Sequence, residues 1–252
     1  MQRYVMVFEY DGTGFAGLQS QEGKRTVQSE IERAMSHIFG VPTTLVASGR
    51  TDSGVHAIGQ VAHFDAEYKK DEFSLLRSLN SFLPADICVR EIHKVNGNFH
   101  ARFDAKRKTY IYKFYISPNE RPLYINRALR VNTGLNVQQM MDACECFVGT
   151  HDFKSFCSKK SGKTDFVRTV YTCKITEMEK DEYELEICGN GFLYNMVRII
   201  MGTLLKVGEG KIKKADIAKI FEGKARMLAG KTVPPYGLYL KSVEYIEKRS
   251  EE

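Results

Sequence analysis

The groups best suited to chemistry lie in one short run, Ala47-Ser48-Gly49-Arg50-Thr51-Asp52-Ser53-Gly54-Val55-His56-Ala57. A guanidinium, a hydroxyl and a carboxylate follow one another between two glycines. Those glycines let the backbone take positive φ or pass close to a ligand. The run sits between Thr44-Leu45-Val46 and Val61-Ala62-His63-Phe64, two strand-like stretches. It therefore reads as a loop held at both ends by a sheet, the setting in which binding and catalytic residues concentrate. Two bland or rival readings compete with it. One is a polar hairpin turn with a surface Arg–Asp pair, in keeping with the turn chemistry of Gly, Ser and Asp. The other is a triad of Ser48 or Ser53 with His56 and Asp52, although triad members normally come from separate elements. His56 and His63 lie seven apart across an expected strand, with no third ligand at metal spacing, so no metal site is expected.

A second oddity is Arg198, a lone charge among Met196, Val197, Ile199, Ile200, Met201, Leu204 and Leu205. A helix from about Phe192 to Val207 would be apolar nearly all round and hence buried. Arg198 either snorkels at the edge of the apolar stripe or points inward, where a guanidinium needs a partner. Asp52 is the carboxylate in the most restricted setting, and an arginine beside it would lower its pKa and keep it ionised for attack.

Basic residues recur beside aromatic ones: Arg102-Phe103, Lys106-Arg107-Lys108 before Tyr110 and Tyr112, Lys159-Lys160 with Lys163, and Lys211-Lys213-Lys214. Such clusters suit phosphate contacts with ring faces left for base stacking, although a solvated surface explains any one of them. The excess of 37 Lys+Arg over 31 Asp+Glu gives +6 over 252 residues, a mild bias towards polyanionic partners. Six cysteines at 88, 144, 146, 157, 173 and 188 show no CxxC pair and no disulfide framework. They read as free thiols in a reducing compartment. The N-terminus reads as too short and too strand-like for a signal peptide, and no run reaches the roughly 18 apolar residues of a membrane span. A cytoplasmic protein with no membrane association is expected.

Positioning these groups requires a scaffold that the patterning outlines. Arg3 to Tyr10 is a strand; Val27, Ile31, Ala34, Met35 and Ile38 form one helix face behind an N-cap at Thr26, closed by Gly40 and Pro42. A strand near 60–65 follows, then a short helix with Phe73, Leu76, Leu79 and Phe82 on one side, and a strand from Ile87 to Val95. The second half opens with a strand at Thr109–Ile116. It continues with a helix from Val137 to Val148 stopped at Gly149, strands at Val167–Met178 and Tyr183–Cys188, the Arg198 helix, a helix near Ala215–Phe221, and a last strand from Leu238 through Tyr245. The order of elements predicts an α+β fold. Two similar α+β halves, 1–104 and 105–252, share an extended, mainly antiparallel sheet with helices on one face and a cleft between the halves.

The run Gly49-Arg50-Thr51-Asp52-Ser53-Gly54-Val55-His56-Ala57 resembles the signature of the tRNA pseudouridine synthase A family. The resemblance extends along most of the chain. Tyr10-Asp11-Gly12-Thr13 with Phe15, Gly17, Gln19 and Gln21 is similar to the family's N-terminal motif. Phe99-His100-Ala101-Arg102-Phe103-Asp104-Ala105 before Tyr110 and Tyr112 is similar to its second. Phe147 through Phe153 with Phe156, and Gly191-Phe192 through Met196-Val197-Arg198 with Gly202, supply two more. Pro235 with Gly237-Leu238 resembles the C-terminal motif, where Val233 stands in a place more often held by alanine.

The resemblance implies an enzyme, an isomerase that converts uridine to pseudouridine at positions 38 to 40 of the tRNA anticodon stem-loop. It makes Asp52 the catalytic aspartate, Tyr110 the tyrosine packed on the target base, Arg198 the basic partner of Asp52, and Arg50 a group that helps displace the base. Leu238 would wall the uracil pocket. It implies a homodimer with basic clefts for tRNA, no cofactor and no catalytic metal. Glycosidic cleavage passes through an electron-poor sugar that a carboxylate can trap or stabilise, at a base flipped from its stack. Attack of Asp52 on C1′, its addition to the base and its removal of the C2′ proton remain open. A non-catalytic RNA-binding module would leave Asp52 and Arg198 unexplained, and a nucleoside hydrolase would want a second acid or a metal cluster.

Overall fold

A computed structural model describes residues 1–158 and 164–245. The chain runs β1 (Gln2–Tyr10), α1 (Val27–Phe39), β2 (Val46–Ala47), β3 (His56–Ala66), α2 (Glu72–Phe82), β4 (Ile87–Val95), β5 (Ala105–Ile116), β6 (Leu129–Val131), α3 (Val137–Ala143), β7 (Gly149–Asp152), β8 (Val167–Glu179), β9 (Glu182–Gly189), α4 (Met196–Gly208), α5 (Asp216–Gly223) and β10 (Leu238–Tyr245). The fold is α+β. Its two compact units are residues 1–106 together with the segment from Tyr239 onward, and Arg107–Leu238. The sequence reading places one division at 104/105; the chain also crosses at 238/239, where the final strand returns to the first unit.

In the first unit β1 is antiparallel to both β3 and β4, β2 adds to β3, and β10 lies parallel to β3 with Tyr239 opposite His56. Tyr4, Met6, Phe8 and Tyr10 are buried on alternate positions of β1, as a strand with one core face requires. Helix α1 begins at a capping box, in which Thr26 accepts from the Ser29 amide and the Ser29 side chain accepts from the Thr26 amide. It buries Val27, Ile31, Ala34 and Met35. Helix α2 presents a different face from the one its hydropathy predicts. Leu75 and Leu79 are buried, whereas Phe73 and Phe82 are exposed. The cause is Asn80, whose side-chain amide bonds both the N–H and the C=O of Val89 at 2.8 Å. Those two bonds fix the helix rotation against β4.

In the second unit β5 pairs with β9, β9 with β8 and β8 with β7, all antiparallel, and β6 adds parallel to β5. Strands β6 and β7 are three and four residues long and carry no periodicity that a sequence window detects. The expected helix to Val148 stops at Ala143 and tightens into a 3-10 turn over Cys144–Phe147. Helix α4 starts at Met196, four residues later than expected, because Asn195 takes a left-handed conformation at φ 63°.

The loop 96–104 of the first unit is tied down by side chains at seven of its main-chain groups. Arg3 donates to the carbonyls of Gly97 (2.6 Å) and Phe99 (2.9 Å) while pairing with Asp65. The His63 Nδ1 accepts from the Ala101 amide at 3.1 Å, and the Tyr245 hydroxyl donates to the Ala101 carbonyl at 2.6 Å. The Asp104 carboxylate accepts from the His100 amide, and the His100 Nδ1 accepts from the amides of Arg102 and Phe103. Burial, together with the charge of Arg3, pushes the His63 pKa down to about 4, which agrees with a ring nitrogen that accepts rather than donates.

The unfolded chain therefore binds a proton at His63 that the folded chain refuses between about pH 6.5 and 4. Stability contributed by the neutral ring is complete above that window and is lost as pH falls through it, by at most about 3 kcal/mol. Urea unfolding at pH 7 and pH 5 should differ by about 2 kcal/mol more in the native protein than in His63→Asn. Equal pH dependence of the two proteins would contradict this.

Candidate active site

The expected site residues fall in both units. Asp52 and Arg50 belong to the first, and Tyr110, Arg198 and Leu238 to the second.

The loop 48–55 joins β2 to β3, and its bonds reach in several directions. The Ser48 amide donates to the Val61 carbonyl at 2.7 Å, and the Ser48 hydroxyl donates to Gln60 Oε1 at 2.7 Å. Gln60 Nε2 in turn donates to the Gly49 carbonyl at 3.1 Å. Thr51 is buried, shares a 2.7 Å hydroxyl bond with Tyr10, and accepts at its carbonyl from the Leu18 amide. Burial pushes the Tyr10 pKa up to about 12, so a neutral phenol holds this bond at any ordinary pH. The Val55 amide closes a turn onto the Asp52 carbonyl at 3.1 Å, with Gly54 at φ 76°. Ser53 donates to the Phe15 carbonyl at 3.0 Å. Asp52 is half-buried in the middle of these ties, and Arg50 is exposed.

From the other side the loop is met by main chain. A Cβ at Gly12 would sit 2.0 Å from the Val55 carbonyl oxygen, so only glycine fits there. The Gly12 amide donates to His56 Nδ1 at 3.0 Å. That bond needs a lone pair on Nδ1, so the 3.1 Å approach of Asp11 to the same atom is not an ion pair while it lasts. His56 is buried and stacks on Tyr239 at 4.6 Å. The hydroxyls of Ser48 and Ser53 are directed to Gln60 and Phe15, which argues against a serine triad on His56. A loop bound this tightly is not the solvated hairpin of the rival reading. Among the described residues, no group of three or more His, Cys, Asp or Glu could hold a metal, and no helix is long and apolar enough to cross a membrane.

In the second unit Tyr110 lies on β5 opposite Ile187, half-buried, with the Phe192 ring edge-on at 5.2 Å. Arg198 lies in the first turn of α4 and is half-buried. Its Nε donates to the Val233 carbonyl at 2.8 Å and its Nη1 to Asn195 Oδ1 at 2.7 Å. These acceptors fix the plane of the guanidinium without neutralising it, so both bonds leave the positive charge in place. The Val233 carbonyl belongs to a strap, 230–237, that sequence reasoning missed. On one side the strap crosses α4, where a Cβ at Gly202 would sit 1.9 Å from the Lys231 carbonyl oxygen. The Thr203 hydroxyl accepts from the Gly230 amide beside that crossing. On the other side the strap accepts the Tyr112 hydroxyl at the Pro234 carbonyl, 2.8 Å away. Leu238 follows at the start of β10, buried. In the sequence the strap showed only as the motif residues Val233, Pro235 and Gly237, with no sign that it crosses α4.

Of the basic clusters, Lys159, Lys160 and Lys163 lie outside the described residues. Lys211 pairs with Glu209 and Lys214 with Glu145. Arg107 lies over the Tyr171 ring at 4.8 Å, and Arg102 over Phe103 at 5.8 Å. These last two keep the basic–aromatic pairing that nucleic-acid contacts use.

The sequence matches the tRNA pseudouridine synthase family over residues 6–104 and 143–246. A tRNA pseudouridine synthase A from Caldicellulosiruptor bescii is 45% identical over 247 residues, 97% of this chain and 100% of that protein. One from an Exiguobacterium species is 43% identical over 245 residues, 97% of this chain and 98% of that protein. A solved archaeal box H/ACA sRNP complex is 13% identical, with a TM-score of 0.33 over 82% of this chain and 54% of that one; a likeness that weak decides nothing.

The strap that fixes Arg198 tolerates no Cβ at its crossing with α4. Gly202→Ala should cost about 2 kcal/mol or more of unfolding free energy, the usual scale of overpacking. Gly191→Ala, where an added Cβ meets nothing within 4 Å, should stay within about 0.5 kcal/mol. Equal denaturation midpoints for the two variants would show that the crossing is slack.

Proposed function

We propose that this chain, which belongs to the tRNA pseudouridine synthase family, isomerises uridine to pseudouridine in the anticodon stem-loop of tRNA, at positions 38 to 40. Asp52 is the catalytic carboxylate. The observation that carries the reading is the setting of Asp52, half-buried at a turn whose flanking residues are bonded to β1, β3 and the 15–18 segment. Such fixation holds a reacting group in place without reorganisation during the reaction. Arg198, oriented by Val233 and Asn195, is the basic partner that keeps Asp52 ionised. Tyr110 packs against the target base, Arg50 helps displace that base from its stack, and Leu238 walls the uracil pocket. The enzyme works in the cytoplasm as a homodimer and needs no cofactor; the six free cysteines accord with a reducing compartment.

The reaction balances within the substrate. The N1–C1′ bond breaks, the base turns, a C5–C1′ bond forms, the C5 proton leaves to solvent and N1 gains one. Extruding the base costs about a few kcal/mol, which stacking and hydrogen bonds in the pocket offset. Attack on C1′, addition to the base and removal of the C2′ proton all require the ionised carboxylate. Deuterium at C2′ should slow the reaction severalfold on the last route alone.

The test is tritium release from tRNA labelled at uridine C5. The native protein should release label with no change in product mass, and Asp52→Ala should fall by about a thousandfold or more. Release of free uracil would mean a hydrolase. Tight tRNA binding with no release would mean a binding module, and an active Asp52→Ala would remove Asp52 from the chemistry.

A further inference from the structure

The loop 96–104 is fixed far more firmly than a solvent-facing loop tip requires. Side chains of Arg3, His63, His100, Asp104 and Tyr245 bond seven of its main-chain groups. Tips left to solvent are ordinarily loose. This one carries at its apex a phenylalanine that is 72% exposed, Phe103. A lone exposed apolar side chain is ordinary, but Phe103 is the outermost of three rings in successive contact, the inner pair edge-on and the outer pair tilted. His63, 4% exposed, meets the His100 ring at 4.8 Å, and His100 meets Phe103 at 4.2 Å with 33° between planes. The series starts in the core and ends at a ring that His100 meets on one side and that is otherwise largely exposed. The Arg102 guanidinium stands 5.8 Å from the centre of that ring.

We propose that Phe103 is a stacking platform for an unpaired base of the RNA substrate, with Arg102 bonding the adjoining phosphate. The proposal rests on the isomerase reading, since it assigns the RNA-binding chemistry of a surface outside the groups named there. An exposed ring held on a fixed loop offers a surface for one base, and stacking of this kind accepts any base because each has a π-face. A guanidinium beside the ring supplies the charge complement for the phosphate of the stacked nucleotide. The His100 and His63 caps are what hold that loop in place. Arg102 and Phe103 are both exposed, so truncating either removes little buried area from the fold.

The experiment measures Kd for an unmodified tRNA transcript against the native protein and Phe103→Ala, Phe103→Leu, Phe103→Tyr and Arg102→Ala, with melting temperatures alongside. Phe103→Ala should weaken binding by about 5- to 100-fold, the range expected for loss of one base stack. Phe103→Leu should be nearly as weak, Phe103→Tyr should bind like the native protein, and all melting temperatures should agree. Arg102→Ala should make the slope of log Kd against log salt shallower by about one. Native-like affinity in Phe103→Ala or in Phe103→Leu overturns the platform. So does self-association of the native protein that Phe103→Ala abolishes while tRNA affinity stands, which would give the face to a second copy of this chain. If the native protein binds tRNA but releases no tritium, the isomerase reading fails, and the Kd comparison still decides the platform.

Discussion

At Gly12 an added Cβ would lie 2.0 Å from the Val55 carbonyl oxygen, and at Gly202 it would lie 1.9 Å from that of Lys231. Main chain laid directly on main chain is the constraint on which both candidate halves depend. In the first unit it seats the loop carrying Asp52 against the segment after β1. In the second it seats the strap whose Val233 carbonyl holds Arg198. Side chains adjust by rotamer; two backbones in contact do not. Asp52 and Arg198 are therefore placed by parts of the chain that offer almost no freedom, and hydrogen bonds such as Tyr10–Thr51 and Tyr112–Pro234 brace those parts.

The polar groups around these contacts divide into two kinds. His56, His63 and Tyr10 are buried and serve as fixed acceptors or donors to main chain and hydroxyl. Asp52, Tyr110 and Arg198 are half-buried, braced and still partly open. Titratable groups of the first kind set stability against pH, as the depressed pKa of His63 does. Those of the second kind suit a substrate. A reading that treated every histidine near Asp52 as chemistry would have confused the two.

Much of this was legible from residue types. The face Val27, Ile31, Ala34 and Met35 of α1, its Thr26 cap and the alternation of β1 follow local rules and are found as expected. The glycine-flanked loop at Asp52 was visible because Gly, Ser and Asp have few other reasons to crowd between two strands. What was not legible depends on distant partners. Phe73 and Phe82 lost the inner face of α2 because Asn80 bonds the main chain of Val89, a preference that hydropathy cannot register. The return of β10 to β3 and the short β6 and β7 involve too few residues, or too great a separation, to leave a period. The Val233 carbonyl and the Asn195 amide oxygen that orient Arg198 leave no trace in residue type or period.

The central proposal is that Asp52 acts on a uridine extruded from its stack, and a crystal structure of the protein with tRNA carrying 5-fluorouridine at the target position tests it most directly. That base has no C5 proton to lose, so the final step is blocked. The account predicts the target base out of its stack, the Tyr110 ring against its face, and an Asp52 carboxylate oxygen about 3–3.5 Å or less from C1′, the C2′ hydrogen-bearing carbon or the base, the spacing of reacting groups. A target uridine left in its stack, or seated with Asp52 beyond reach of both sugar and base, would contradict it.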